Sequence, residues 1–105
     1  LAENARVVGD QLLHGLRELQ ERFALIGDVR GCGFFLGVEL VIDRTSKQPA
    51  TEAAMRIKNF LRDQRVLIGT DGPHDNVLKI RPPMSFDAAA ADCLLAELGR
   101  AFASL

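Results

Sequence analysis

Apolar side chains recur at steps of three and four from the start of the chain: Val8, Leu12, Leu16, Leu19 and Phe23. That spacing predicts an amphipathic helix over about residues 2 to 23. Its other face carries Glu3, Arg6, Asp10, Arg17 and Glu21, with His14 among them as a solvated side chain. The period then drops to two. Phe34, Leu36, Val38, Leu40 and Ile42 alternate with Phe35, Gly37, Glu39 and Val41, which predicts a strand with the first set on one face. The preceding IGDVRG reads as another strand, and Gly31-Cys32-Gly33 supplies a flexible bend between the two.

The segment DRTSKQPA is a polar connector. Thr51 is placed to cap a second helix, with Glu52 in its first turn. Ala53, Ile57, Phe60 and Leu61 mark that helix's apolar side, and it is expected to end near Gln64. VLIGT and NVLKIR are short strands around the turn cluster DGPHDN. The second of them stops at Pro82-Pro83, because proline has no N–H for a sheet ladder. Ser85 is the expected N-cap of a last helix, with Asp87 in its first turn and Ala91, Leu94, Leu95, Leu98, Phe102 and Leu105 as its stripe. The order α-β-β-α-β-β-α predicts an α+β fold: a two-layer sandwich of three helices against a small, mainly antiparallel sheet. With the helices on one face, the other face is left uncovered, the form of a docking surface.

Composition adds exclusions. The chain has 105 residues, enough for one modest core, and a formal net charge of -1. A near-neutral chain has no electrostatic footprint for nucleic acid. Its longest apolar run, about residues 33 to 42 and broken by Glu39, is far too short to span a bilayer. Leu1 opens directly in a helical pattern, without the basic start of a signal peptide and without Met. A piece of a longer, cytoplasmic protein is therefore expected. Cys32 and Cys93 read as free thiols, and with His14 and His74 they show no metal-ligand spacing. Gly31-Cys32-Gly33 lacks the third glycine of a dinucleotide fingerprint and opens a strand where the fingerprint opens a helix.

The candidate chemistry lies in NVLKIRPPMSF. Alternation sends Leu78 and Ile80 toward the helices, and Val77, Lys79 and Arg81 toward the uncovered face. Two like charges two residues apart repel unless an anion lies nearby. They are either solvated edge residues whose stems cover the sheet, or a site for a carboxylate or phosphate, with an arginine fork and a lysine point charge. His74, in the turn before, is a possible third donor. Residue physics alone leaves these readings level.

The succession VRGCGFFLGVEL, a helix, VLIGTDGPHDNVLKIRPPMSF and a closing amphipathic helix resembles the C-terminal part of a class III aminotransferase, over essentially the whole chain. These are fold-type-I enzymes that depend on pyridoxal phosphate. The resemblance implies that residues 1–105 are the small C-terminal domain, packed beside a large domain that carries the cofactor, its Schiff-base lysine and the aspartate at the pyridine nitrogen. Lys47, Lys58 and Lys79 are the only lysines, and neither the loop Lys47 nor the helical Lys58 resembles that lysine. The domain by itself is then expected to hold no cofactor and to be inactive, forming one wall of the substrate site.

Many members carry, three residues before the Pro-Pro pair, an arginine that binds the substrate carboxylate; this chain has Lys79 there. DGPHDNVLKIRPPM is similar to a subgroup of phospho-lyases that act on phosphoethanolamine or phosphohydroxylysine. The resemblance thus implies a transaminase, or alternatively a phospho-lyase, acting on a small anionic amine. Lys79 would contact the substrate, Arg81 would come second and His74 third, while Arg30 and Gly31 support the strand turn. Self-association, as a homo-oligomer such as a dimer, is expected. The reading from a different class is a non-catalytic module that docks a partner through its open sheet face.

Overall fold

The computed structural model describes residues 2–62 and 68–105. Gln64 and the first residues of the expected VLIGT strand, Val66 and Leu67, lie outside the described residues. The elements are α1 (Ala2–Arg22), β1 (Ile26–Cys32), β2 (Phe35–Asp43), β3 (Gln48–Pro49), α2 (Thr51–Arg62), β4 (Ile68–Asp71), β5 (Val77–Ile80) and α3 (Ala88–Ala103). The strands run β1-β2-β5-β4 with every pair antiparallel, and the short β3, inside the segment read as a connector, pairs with β2. α1 lies on β1 and β2, and α2 lies on β2, β4 and β5. α3 packs across both helices. The expected α+β sandwich is the observed one.

The core forms between the layers. Leu12 and Leu16 of α1, Ile57 and Leu61 of α2, Leu98 of α3, and Leu36, Val38, Leu40, Leu78 and Ile80 of the sheet are all essentially inaccessible. Burying each such side chain contributes about 1.5–3 kcal/mol. Phe23 and Phe102 stack at 5.5 Å where α1 meets α3. α1 approaches the β1–β2 hairpin so closely that a Cβ on Gly9 would lie 2.3 Å from the Gly33 carbonyl oxygen. Gly33 itself turns the hairpin at φ 56, a left-handed conformation natural to glycine.

Two residues at the end of β2 depart from simple alternation in exposure. Val41 lies on the same side as Asp28 and Glu39, yet it is only 1% exposed. Beside it β1 carries a bulge. Ile26 pairs with Leu40 and Asp28 with Glu39, so Gly27 is an extra residue in β1. Val41 sits against Gly27, where a Cβ would come within 2.8 Å of its Cγ2, and Arg44 and Lys47 from the following turn close the same side. Ile42, grouped by alternation with Leu36, Val38 and Leu40, is 63% exposed where they are buried. It lies at the end of β2 and lines a shallow cavity of about 460 Å³ with Leu25, Pro49, Ala53 and Leu105.

The helix ends also differ from expectation. The N-cap of α3 is Asp87, whose Oδ1 accepts from the Ala90 N–H at 2.8 Å, while Ser85 lies in the preceding turn. The Thr51 hydroxyl donates to the His74 carbonyl at 2.5 Å and so ties the start of α2 to the β4–β5 turn. Arg44 donates to the carbonyls of Gln20, Phe23 and Ala24, a cation set on the C-terminal end of α1 where the helix leaves carbonyls unpaired.

Candidate functional site on the open sheet face

Strand register assigns the residues of the open face. Leu36, Val38, Leu78 and Ile80 point into the core, so their neighbours along each strand point out. Arg30 stands opposite Gly37, Gly37 opposite Lys79, and Lys79 opposite Gly69. One row across four strands therefore reads cation, glycine, cation, glycine. The next row reads Asp28, Glu39, Val77 and Asp71. Asn76 fixes the entry of β5 into this arrangement: its Nδ2 donates to the Leu40 carbonyl at 2.9 Å, and its own carbonyl accepts from the Leu40 N–H at 2.8 Å.

Lys79 and Arg81 both project from the end of the β4–β5 hairpin as expected, but their surroundings differ. Arg81 is occupied. Its Nη1 donates to the carbonyls of Leu36 at 2.6 Å and Ile80 at 3.0 Å, and its guanidinium lies 5.1 Å from the centre of the Phe35 ring. Those acceptors are neutral, so the contacts fix where the guanidinium sits and leave its charge uncancelled among the described residues. Lys79 is half-buried and has no ion-pair partner among the described residues. Its stem lies over Gly69, where a Cβ would be 3.6 Å from Lys79 Cε. His74 sits exposed in the turn at the other end of β5 from Arg81, so the three expected residues do not converge on one point.

Arg30 is the functional-looking residue that alternation alone misplaces. Counting by twos from the buried Ile26 would send Asp28 and Arg30 into the core; the Gly27 bulge turns them out and Val29 in. The signal available was Ile26 and Val29 three apart around a glycine. Arg30 Nη1 donates to Asp28 Oδ2 at 2.7 Å and to Glu39 Oε1 at 3.2 Å. The Asp28 hydrogen bond, opposed by partial burial and aided by Glu39, raises its pKa further, so it remains a cation. Gly37 and Gly69 were not singled out either; only register shows that they flank Lys79.

The described residues do not fit pyridoxal phosphate. A cradle needs a lysine beside a ring-sized slot and donors for a phosphate. The cavity of about 460 Å³ has no lysine in its lining. Another, of about 180 Å³, sets Lys47 beside the carboxylates of Asp28 and Glu39, which would repel a phosphate. No chemistry through that group is assigned to this chain's residues.

A family model described as aminotransferase class-III matches residues 1–102. The chain is 46% identical over 93 residues to a Drosophila melanogaster protein, alanine–glyoxylate aminotransferase 2-like, covering 88% of this chain and 19% of that one. Among solved structures, a phospholyase from Arthrobacter in complex with phosphoethanolamine aligns with a TM-score of 0.90 and 37% identity, over 97% of this chain and 24% of that one. An amine transaminase from an uncultivated Pseudomonas species, in its PLP-bound form, aligns with a TM-score of 0.83 and 36% identity, over 96% of this chain and 23% of that one. The chain thus spans about a fifth of the length of the curated relative it matches.

Proposed function

Since the chain belongs to the class III aminotransferase family, whose members depend on pyridoxal phosphate, we propose that residues 1–105 form the small C-terminal domain of a longer enzyme of that kind, with the open sheet face as one wall of its substrate site. The cofactor, bound by a large domain of the same parent chain, supplies the electron sink for chemistry next to an amine. This chain's residues bind and orient the substrate. The observation that carries the reading is Lys79: a half-buried lysine of the open face, without an acceptor or ion-pair partner among the described residues. A half-buried charge gains most from an anionic partner. Lys79 therefore holds the anionic group of a small amine, Arg81 stiffens the strand end beside it through its carbonyl contacts, and His74 lies further along the wall.

Transamination is the leading activity. Phosphate elimination is the second reading, supported by the Arthrobacter phospholyase with phosphoethanolamine bound and by a lysine's looser, monodentate hold on an anion, which suits a phosphate better than an α-carboxylate. No helix among the described residues is long and apolar enough to cross a membrane. We assign the parent to the cytoplasm as a homodimer, to be checked by cell fractionation and light scattering.

Steady-state kinetics of the full-length enzyme test the proposal. Lys79→Ala removes a charge-assisted contact, so efficiency on an accepted anionic amine falls about ten- to a hundredfold with cofactor absorbance unchanged. Lys79→Arg separates the chemistries: it lowers efficiency on phosphoethanolamine if the parent is a phospho-lyase, and preserves or raises it on an amino-acid donor if the parent is a transaminase. Wild-type efficiency of Lys79→Ala on every accepted substrate contradicts the proposal and leaves the open face as a docking surface.

A further inference from the structure

We propose that Arg30 is a second anion-binding residue of the same site, and that Arg30 and Lys79 together hold a tetrahedral or carboxylate anion above the bare backbone of Gly37. This rests on the reading of Lys79 as an anion contact.

Three observations support the pairing. The first is register: Arg30 and Lys79 are both direct cross-strand neighbours of Gly37, on opposite sides and on one face. Their backbones stand two strand spacings apart, about 10 Å, a gap that two long cationic side chains can close around an anion. The second is the free capacity of Arg30. Both of its carboxylate contacts use a single nitrogen, Nη1. The N–H groups of Nε and Nη2 have no acceptor among the described residues, and that edge is the one a guanidinium offers to two oxygens at once. Asp28 and Glu39 hold the guanidinium through Nη1, which limits the side-chain freedom lost when an anion arrives, while their own charge offsets part of the attraction. The third is the floor. A Cβ on Gly37 would touch Arg30 Cγ at 3.9 Å and Val77 Cγ1 at 3.4 Å, so it would take up the open space beside the Arg30 stem. Lys79 leans over Gly69, on the side away from Gly37, so the joint site requires its flexible stem to swing across the row when an anion binds.

The expected ligand group is an anion with at least two outward oxygens: a phosphate monoester, a sulfonate or a carboxylate. Arginine takes two oxygens and lysine a third, so a tetrahedral anion uses the pair most fully.

The experiment measures the Kd of inorganic phosphate by titration calorimetry on the full-length enzyme saturated with cofactor. The variants are Arg30→Gln, Arg30→Lys, Lys79→Gln and Gly37→Ala. Arg30→Gln and Lys79→Gln should each weaken binding about tenfold or more. Arg30→Lys should recover part of the loss, and Gly37→Ala should weaken binding several-fold (roughly the loss of one good contact) while keeping the melting temperature. Weakening by Lys79→Gln, with wild-type Kd in Arg30→Gln and Gly37→Ala, overturns the joint site and leaves the role of Lys79 intact. No phosphate binding by the wild type overturns the joint site, and a wild-type Kd in Lys79→Gln overturns both. Should Arg30→Gln fail to fold, Gly37→Ala decides: an unchanged Kd in that variant overturns the joint site.

Discussion

The two faces of one sheet are built from alternate residues of the same strands, and they obey different rules. On the helix side, Leu36, Val38, Leu40, Leu78 and Ile80 are at most 1% exposed. On the open side, one residue along, stand Arg30, Gly37, Glu39 and Lys79, with Phe35 72% exposed. The inner face is fixed by volume, since any lost methylene leaves a cavity. The outer face is fixed by register, which sets charges opposite glycines. Leu78 and Lys79 are adjacent in sequence, so substitutions at the two positions separate stability from binding.

The largest expected effect is on the inner face. Leu78→Ala should destabilise the 105-residue chain by about 2–5 kcal/mol in denaturant unfolding. Lys79→Ala, next to it, should stay within about 0.5 kcal/mol of wild type by the same measurement. Equal losses at both positions would erase the distinction between the faces.

Smaller effects sharpen the contrast at the edges of the core. Asp87→Ala removes the cap of α3 and should cost about 1 kcal/mol, whereas Ser85→Ala should cost almost nothing. The reverse order would restore Ser85 as the cap. Ser85 was the natural sequence expectation because it lies two residues past Pro83, and a serine and an aspartate two residues apart cap with similar strength. Only the backbone's path after Pro83 selects between them.

The smallest effect concerns charges that are merely solvated. The Arg6 hydrogen bond and charge lower the pKa of Glu3 from its ordinary 4.5 on the outer surface of α1. A carboxylate with a depressed folded-state pKa adds stability above 4.5 that is lost as the pH falls through the lowered value. Glu3→Gln should therefore melt slightly below wild type at pH 7 and together with it once Glu3 is protonated. Because the pair is exposed, high salt should shrink the difference. A gap that persisted in strong acid would mean that Glu3 acts through packing.

The same contrast explains what could be read in the sequence. Helix stripes such as Val8–Leu12–Leu16–Leu19 and the β2 alternation from Leu36 to Leu40 are set by burial, which repeats locally, so the inner face was legible along with the fold class. The outer face was legible only at Lys79 and Arg81, where alternation is regular. Arg30 depends on a one-residue bulge, Gly37 and Gly69 on pairing between strands distant in sequence, and the capture of Arg81 on the carbonyl of Leu36. None of these repeats with a local period. The burial of Val41 was not legible for the same reason, since what covers it comes from β1 and from the turn after β2.

The central claim is that the open face is the substrate wall. Its most direct test is a crystal structure of the full-length enzyme with cofactor and phosphoethanolamine, or with whichever anionic amine it accepts. The account predicts Lys79 Nζ within hydrogen-bond distance, about 2.7–3.2 Å, of an oxygen of the substrate's anionic group. A substrate whose anion is held wholly by other elements, with Lys79 pointing into bulk solvent or against a partner surface, would contradict it.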